Sequence, residues 1–131
     1  MQGVLLVHLR AATNLAAKDL WGTSDPYAVL AIGPSAHRSA TVPLTLNPVW
    51  DERMVLFVRD PQKQRLTIKL ADADIVGEDD PLGSTMRGLE DLVDGREKEL
   101  DLELVGGRGR VQLEVQYVPM TGKEGTGVIR D

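Results

Sequence analysis

The chain has 131 residues, 42% hydrophobic and 27% charged, which is ordinary for one globular domain with a core large enough to fold without cross-links. Its zero cysteines exclude a disulfide scaffold, a thiolate zinc site and a cysteine nucleophile. A net charge of −5, with fifteen Lys and Arg scattered and few aromatic rings to stack bases, excludes a nucleic-acid module. No apolar run approaches the roughly 18–20 residues of a membrane span, so any membrane contact made by this piece is peripheral.

Period-two alternation marks half-buried strands along most of the chain. In chain order they are residues 4–10, 27–32, 38–43, 54–59, 66–70, 82–89, 100–104 and 111–117, the last being the cleanest. Loops carrying Gly, Pro, Asn or Asp separate them. One helical turn is expected at 89–93, ending at Gly95, and no segment keeps a 3.6 period. About eight short strands predict an all-β fold, an antiparallel β-sandwich of two packed sheets occupying residues 1–119. From residue 120 to 131 alternation gives way to Gly122, Gly125 and Gly127 with Thr121 and Thr126, the composition of a flexible tail or linker.

Two clusters of acid dominate the loops. Asp19 and Asp25 lie in Lys18-Asp19-Leu20-Trp21-Gly22-Thr23-Ser24-Asp25-Pro26-Tyr27. Asp72, Asp74, Glu78, Asp79 and Asp80 lie in Asp72-Ala73-Asp74-Ile75-Val76-Gly77-Glu78-Asp79-Asp80-Pro81-Leu82-Gly83. Each follows the end of a strand pattern. Carboxylates this close repel by about 1 kcal/mol per pair in water and by more where water is excluded. A fold that joins the two loops needs a cation between them, and hard oxygen ligands without thiolates point to calcium.

Other chemistries fail on residue identity. An EF-hand loop begun at Asp72 would have Val76 fifth and Gly83 twelfth, where oxygen ligands are required. The same stretch resembles a phosphatase nucleophile motif, but the chain lacks the length and helices of that α/β domain. Gly106-Gly107-Arg108-Gly109 leads into a strand pattern, so it is no phosphate loop. His8 and His37 each stand alone in sequence and read as structural. With no catalytic constellation left, the chain reads as a binding module and not an enzyme.

Three strings in order carry a family resemblance. Ala16-Ala17-Lys18-Asp19-Leu20-Trp21-Gly22-Thr23-Ser24-Asp25-Pro26-Tyr27, then Thr45-Leu46-Asn47-Pro48-Val49-Trp50-Asp51-Glu52, then the second Asp loop ending Leu82-Gly83, resemble a C2 domain from about residue 3 to 118. The strand order is similar to the permuted, type II topology, and the pattern is most similar to C2 domains of plant synaptotagmins and extended synaptotagmins. The resemblance implies an eight-stranded sandwich that binds two to three calcium ions in its top loops. It implies Asp19, Asp25, Asp72, Asp74 and Asp80 as ligands, with the backbone carbonyls of Leu20 and Ala73 helping. It also implies an anionic phospholipid partner, a place on the cytoplasmic face of membranes, and membrane tethering at contacts between endoplasmic reticulum and plasma membrane.

Leu20, Trp21, Ile75 and Val76 sit at the tips of the two loops and are expected to enter lipid, while Trp50 packs in the core. Five aspartates carry five negative charges, so two divalent ions leave the cluster one charge short of neutrality and a third reverses its sign. The strand before Asn47-Pro48 is lysine-rich where such domains bind phosphoinositides, and here it offers only His37 and Arg38. Asp51 and Met54 depart from the pattern as structural swaps. The isolated domain is expected to be a monomer. The rival reading is a protein-interaction C2 domain whose calcium site is structural or vestigial.

Overall fold

In the computed structural model, which describes residues 2–120, eight strands form two four-stranded antiparallel sheets. The strands are β1 (Gly3–Thr13), β2 (Pro26–Ile32), β3 (Ser35–Arg38), β4 (Val49–Val58), β5 (Arg65–Asp72), β6 (Asp80–Gly88), β7 (Lys98–Glu103) and β8 (Arg110–Pro119). One sheet runs β4-β1-β8-β7 and the other β3-β2-β5-β6. The last strand therefore pairs with the first, Gly3 opposite Pro119.

Alternation decides which face each strand buries, because successive side chains point to opposite sides. Leu5, Val7 and Leu9 of β1 meet Met54, Leu56 and Val58 of β4 and Val111, Leu113, Val115 and Tyr117 of β8 in one core. Leu30 and Ile32 of β2, Leu66, Ile68 and Leu70 of β5 and Leu82 of β6 supply the other wall. Each such side chain contributes about 1.5–3 kcal/mol by leaving water. Trp50 is buried with them, as its place in the sequence predicts.

The register separates two ends. Thr13 faces Arg110 and Ala11 faces Val49 at one end of the first sheet, while Gly3 faces Val58 and Pro119 at the other. In the second sheet Pro26, Asp72 and Asp80 stand in one row, so both aspartate loops emerge at the first of these ends. The two termini of the sandwich lie at the opposite end.

Three details differ from the sequence pattern: β4 begins at Val49, where 54 is expected, and two others have a visible cause. The third strand is Ser35–Arg38, where 38–43 is expected. At Ser39 the regular ladder gives way: its N–H still donates to the Ala28 carbonyl at 2.8 Å, but its Oγ, in place of a backbone carbonyl, accepts the Ala28 N–H at 2.8 Å. His8 is not alone either. Its Nε2 meets Asp51 Oδ1, and its Nδ1 lies 3.4 Å from Glu114 on the next strand. Asp51 has a left-handed φ of 51°, a conformation Asp tolerates better than most residues. The helical turn is a 3₁₀ turn at Glu90–Leu92 with Gly95 at φ 79°. Met120 still donates its N–H to the Gln2 carbonyl, and the rest of the expected tail, 121–131, lies outside the described residues.

Candidate metal centre and exposed loop tips

The second aspartate loop is built by strand pairing. Asp72 ends β5 and Asp80 opens β6 as its direct partner. Asp74, two residues on, brings its carboxylate to the same place. One oxygen from each of Asp72, Asp74 and Asp80 lies within 4.8 Å of the others. Two oxygens on a single calcium ion are separated by at most about 5 Å, twice the calcium–oxygen distance, so the spacing suits that ion. The donor set is all oxygen, as a hard cation requires.

Like charges placed opposite each other on paired strands cost stability. The titration of the trio reflects this. Asp72, only 2% exposed, is pushed above the usual carboxylate range by burial and then by the charges of Asp25, Asp80 and Asp19. Asp74 is pushed up by desolvation, then by Asp80, Asp72 and Asp79. Its neighbour Asp79 moves the other way, held down by the Asp74 N–H and the Tyr27 hydroxyl.

The first loop meets this cluster through backbone. The Asp25 N–H donates to Asp72 Oδ1 at 2.7 Å, and the Ala73 N–H donates to the Asp25 carbonyl at 3.0 Å. Asp25 Oδ1 accepts the Leu44 N–H at 2.7 Å. Asp19 is turned onto its own loop: Oδ2 accepts the Thr23 hydroxyl at 2.6 Å, and Oδ1 accepts the N–H groups of Thr23 and Trp21 at 2.8 and 2.9 Å. These bonds, the Thr23 hydroxyl first, hold Asp19 below the usual range. Gly22, at φ 79°, allows the tight turn that brings Thr23 back. Ser24, fully buried, locks the loop by donating to the Ala16 carbonyl and accepting the Lys18 N–H.

Of the five expected ligands, then, Asp72, Asp74 and Asp80 converge, while Asp25 and Asp19 stand beside them with oxygens engaged by local donors. Leu20 follows Asp19 at the tip of its loop, and Ala73 lies between Asp72 and Asp74. The four apolar tips are bare: Leu20 is 98% exposed, Trp21 85% and Val76 88%, with Ile75 fully exposed.

Two further residues, one beside the aspartate loops and one on the second sheet, were missed in the sequence. Leu44, 67% exposed at φ 58°, sits in the 39–48 loop tied to Asp25. Its single apolar side chain carries no periodic signal, and only the fold brings that loop to the aspartates. Lys69 of β5 shares a row of the second sheet with Val29 and Arg38, so that row carries two cations. Arg38 itself lies 3.7 Å above the Tyr27 ring.

The chain is similar to known proteins. Residues 3–104 match the C2 domain family. The chain is 38% identical to Synaptotagmin-4 of Arabidopsis thaliana, an alignment covering 94% of this chain and 24% of that protein. It is 36% identical to a protein of the same plant named Calcium-dependent lipid-binding protein, covering 99% and 28%. This chain thus spans about a quarter of the length of the curated relatives it matches. Among solved structures, a single C2 domain of plant Extended Synaptotagmin 1 superposes with a TM-score of 0.84 at 30% identity, over 91% of this chain and 96% of that one. The calcium-bound tandem C2 domains of Extended-Synaptotagmin 2 superpose with a TM-score of 0.80 at 31% identity, over 89% and 46%. With the family match over residues 3–104 and a superposition that covers nearly all of a solved C2 domain, this chain belongs to the C2 domain family.

Proposed function

We propose that this domain is a calcium-dependent phospholipid-binding module that docks the protein carrying it on anionic membranes. The observation that carries the reading is the convergence of the Asp72, Asp74 and Asp80 oxygens within 4.8 Å, beside exposed Leu20, Trp21, Ile75 and Val76. Asp19 and Asp25 complete a ligand set for two to three calcium ions, helped by the carbonyls of Leu20 and Ala73. The relative named Calcium-dependent lipid-binding protein and the calcium-bound neighbour support this assignment.

Bound calcium supplies positive charge and open coordination positions that lipid headgroup oxygens can fill. The chain's own residues do the rest. Without a cation, the aspartates repel an anionic leaflet. With their charge offset, the loop tips can approach, and each apolar side chain that enters the interface adds part of the 1.5–3 kcal/mol, roughly, of full burial. Arg38 and Lys69 add about 1 kcal/mol each near an anionic surface, a minor share beside the loops. In the full-length protein the domain would act as a tether, on the cytoplasmic face of membranes, at contacts between endoplasmic reticulum and plasma membrane.

Co-sedimentation with phosphatidylserine-containing liposomes, in calcium or in chelator, tests the proposal. Binding in calcium and release in chelator are expected. Calcium-independent behaviour would favour a protein-interaction domain with a vestigial site.

A further inference from the structure

Asp79 lies in the acid-rich loop, yet both of its oxygens are committed elsewhere. Oδ1 accepts the Asp74 backbone N–H at 2.9 Å, and Oδ2 accepts the Tyr27 hydroxyl at 2.5 Å. It is absent from the trio whose oxygens converge. Tyr27 is a firm anchor for such a bond. It pairs with Ala71 inside the second sheet, is 8% exposed, and carries the Arg38 guanidinium over its ring. Asp74, by contrast, lies past the end of β5, where strand pairing no longer holds the backbone. The Tyr27–Asp79–Asp74 chain therefore connects the sheet to the one converging aspartate that no strand contains.

We propose that Asp79 is a positioning residue and not a calcium ligand: fastened by the Tyr27 hydroxyl, it holds the Asp74 backbone so that the Asp74 carboxylate stays aimed at Asp72 and Asp80. The proposal rests on reading that trio as the calcium site. A ligand fixed in advance loses less conformational freedom on binding, so the fastening raises affinity without adding an oxygen to the ion. Partners that orient metal ligands typically change affinity by about 10–100-fold when removed.

The two roles open to Asp79 predict opposite signs for one substitution. Tyr27→Phe keeps the buried ring and its stacking with Arg38 but frees Asp79 Oδ2. If Asp79 positions Asp74, calcium binds about tenfold more weakly, with the number of bound ions unchanged. If Asp79 is a ligand held in reserve, calcium binds as tightly or more tightly. Asp79→Asn keeps an oxygen for the Asp74 N–H, so it should weaken binding less than Asp79→Ala; a lost ligand charge would make the two equally damaging.

Calorimetric calcium titration of the wild type and the three variants gives affinities and stoichiometries. Hydrogen exchange of the Asp74 amide in calcium-free protein reads the fastening directly and should accelerate in Tyr27→Phe. Wild-type affinity in Tyr27→Phe, equal losses in the two Asp79 variants, or unchanged exchange at Asp74 would each overturn the positioning role while leaving the calcium site standing. A wild type that binds no calcium would instead overturn the reading of the site, and the positioning role with it.

Discussion

Asp19 of the first aspartate loop and Asp72 and Asp74 of the second stand in opposite electrostatic states. In the first, Asp19 is surrounded by donors from its own turn, the Thr23 hydroxyl and N–H and the Trp21 N–H, and its carboxylate is comfortable as an anion. In the second, Asp72 and Asp74 face other carboxylates, and both hold protons more tightly than usual, through desolvation first and neighbouring charge second. A cation gains most where desolvated anions face one another, so the second loop should dominate metal binding and the first should reinforce it.

The sharpest way to break that comparison is a pair of substitutions. Asp74→Asn should remove most calcium binding, a loss on the order of tenfold to a hundredfold, because site affinity follows ligand charge. The sandwich should stay folded, and relief of repulsion should leave the calcium-free protein at least as stable. Asp19→Asn should cost clearly less, since Asp19 must also surrender its bonds to Thr23 and Trp21 to serve as a ligand. Titration calorimetry that gave equal losses at both positions would erase the distinction between the loops.

Thermal stability sharpens it next. A ligand at a hundredfold excess over its Kd adds about 2.7 kcal/mol, so calcium should raise the melting temperature by several degrees and magnesium by much less. The pH dependence follows from the raised pKa values. Asp72 and Asp74 bind protons at higher pH in the folded chain than in the unfolded one. Their contribution to calcium-free stability is therefore present below the ordinary carboxylate value and is lost as pH rises through their raised values. Protons compete with calcium over the same window, so the gap between melting curves with and without calcium should close on acidification. It should begin to do so above the ordinary carboxylate value of 3.8. A gap that stayed constant until below that value would contradict the strained state of the second loop.

Membrane contact gives the smaller effects. Trp21 is 85% exposed while Trp50 is buried, so the exposed indole alone should report docking. Its emission should shift to the blue only when calcium and anionic liposomes are both present, because the ring favours the headgroup boundary. Trp21→Ala should abolish that shift and weaken liposome binding by about 1–3 kcal/mol, with calcium affinity in the absence of lipid unchanged. Leu44→Ser should weaken liposome binding by less than Trp21→Ala, since one aliphatic side chain at the edge of the surface buries less area. An effect as large as that of Trp21 would move the centre of the contact from the two aspartate loops toward the 39–48 loop.

Strand identity was readable because period-two alternation is a local consequence of the pleat. The pattern at 111–117 lies inside β8, and that at 66–70 inside β5. The misplaced third strand shows the limit: the residues after Arg38 look extended, but the Ser39 hydroxyl takes the Ala28 N–H in place of backbone, and only scattered bonds from Ser39 and Val42 still reach β2. The partnership of His8 with Asp51 and Glu114 was equally hidden, since it joins residues brought together only by the first sheet's register.

By itself the sequence determined the all-β class, the two acid-rich loops and the apolar residues at their tips, since spacing and residue type alone carry those signals. The tertiary structure alone decided which acids converge. Asp72 meets Asp80 because β5 pairs with β6 in one register, and a one-residue slip would separate them. It also decided that Asp79 turns to Tyr27, fifty-two positions away, while Asp19 turns to its own loop. Composition treats every aspartate alike. Hydrogen-bond donors do not, and their positions exist only once the chain has folded.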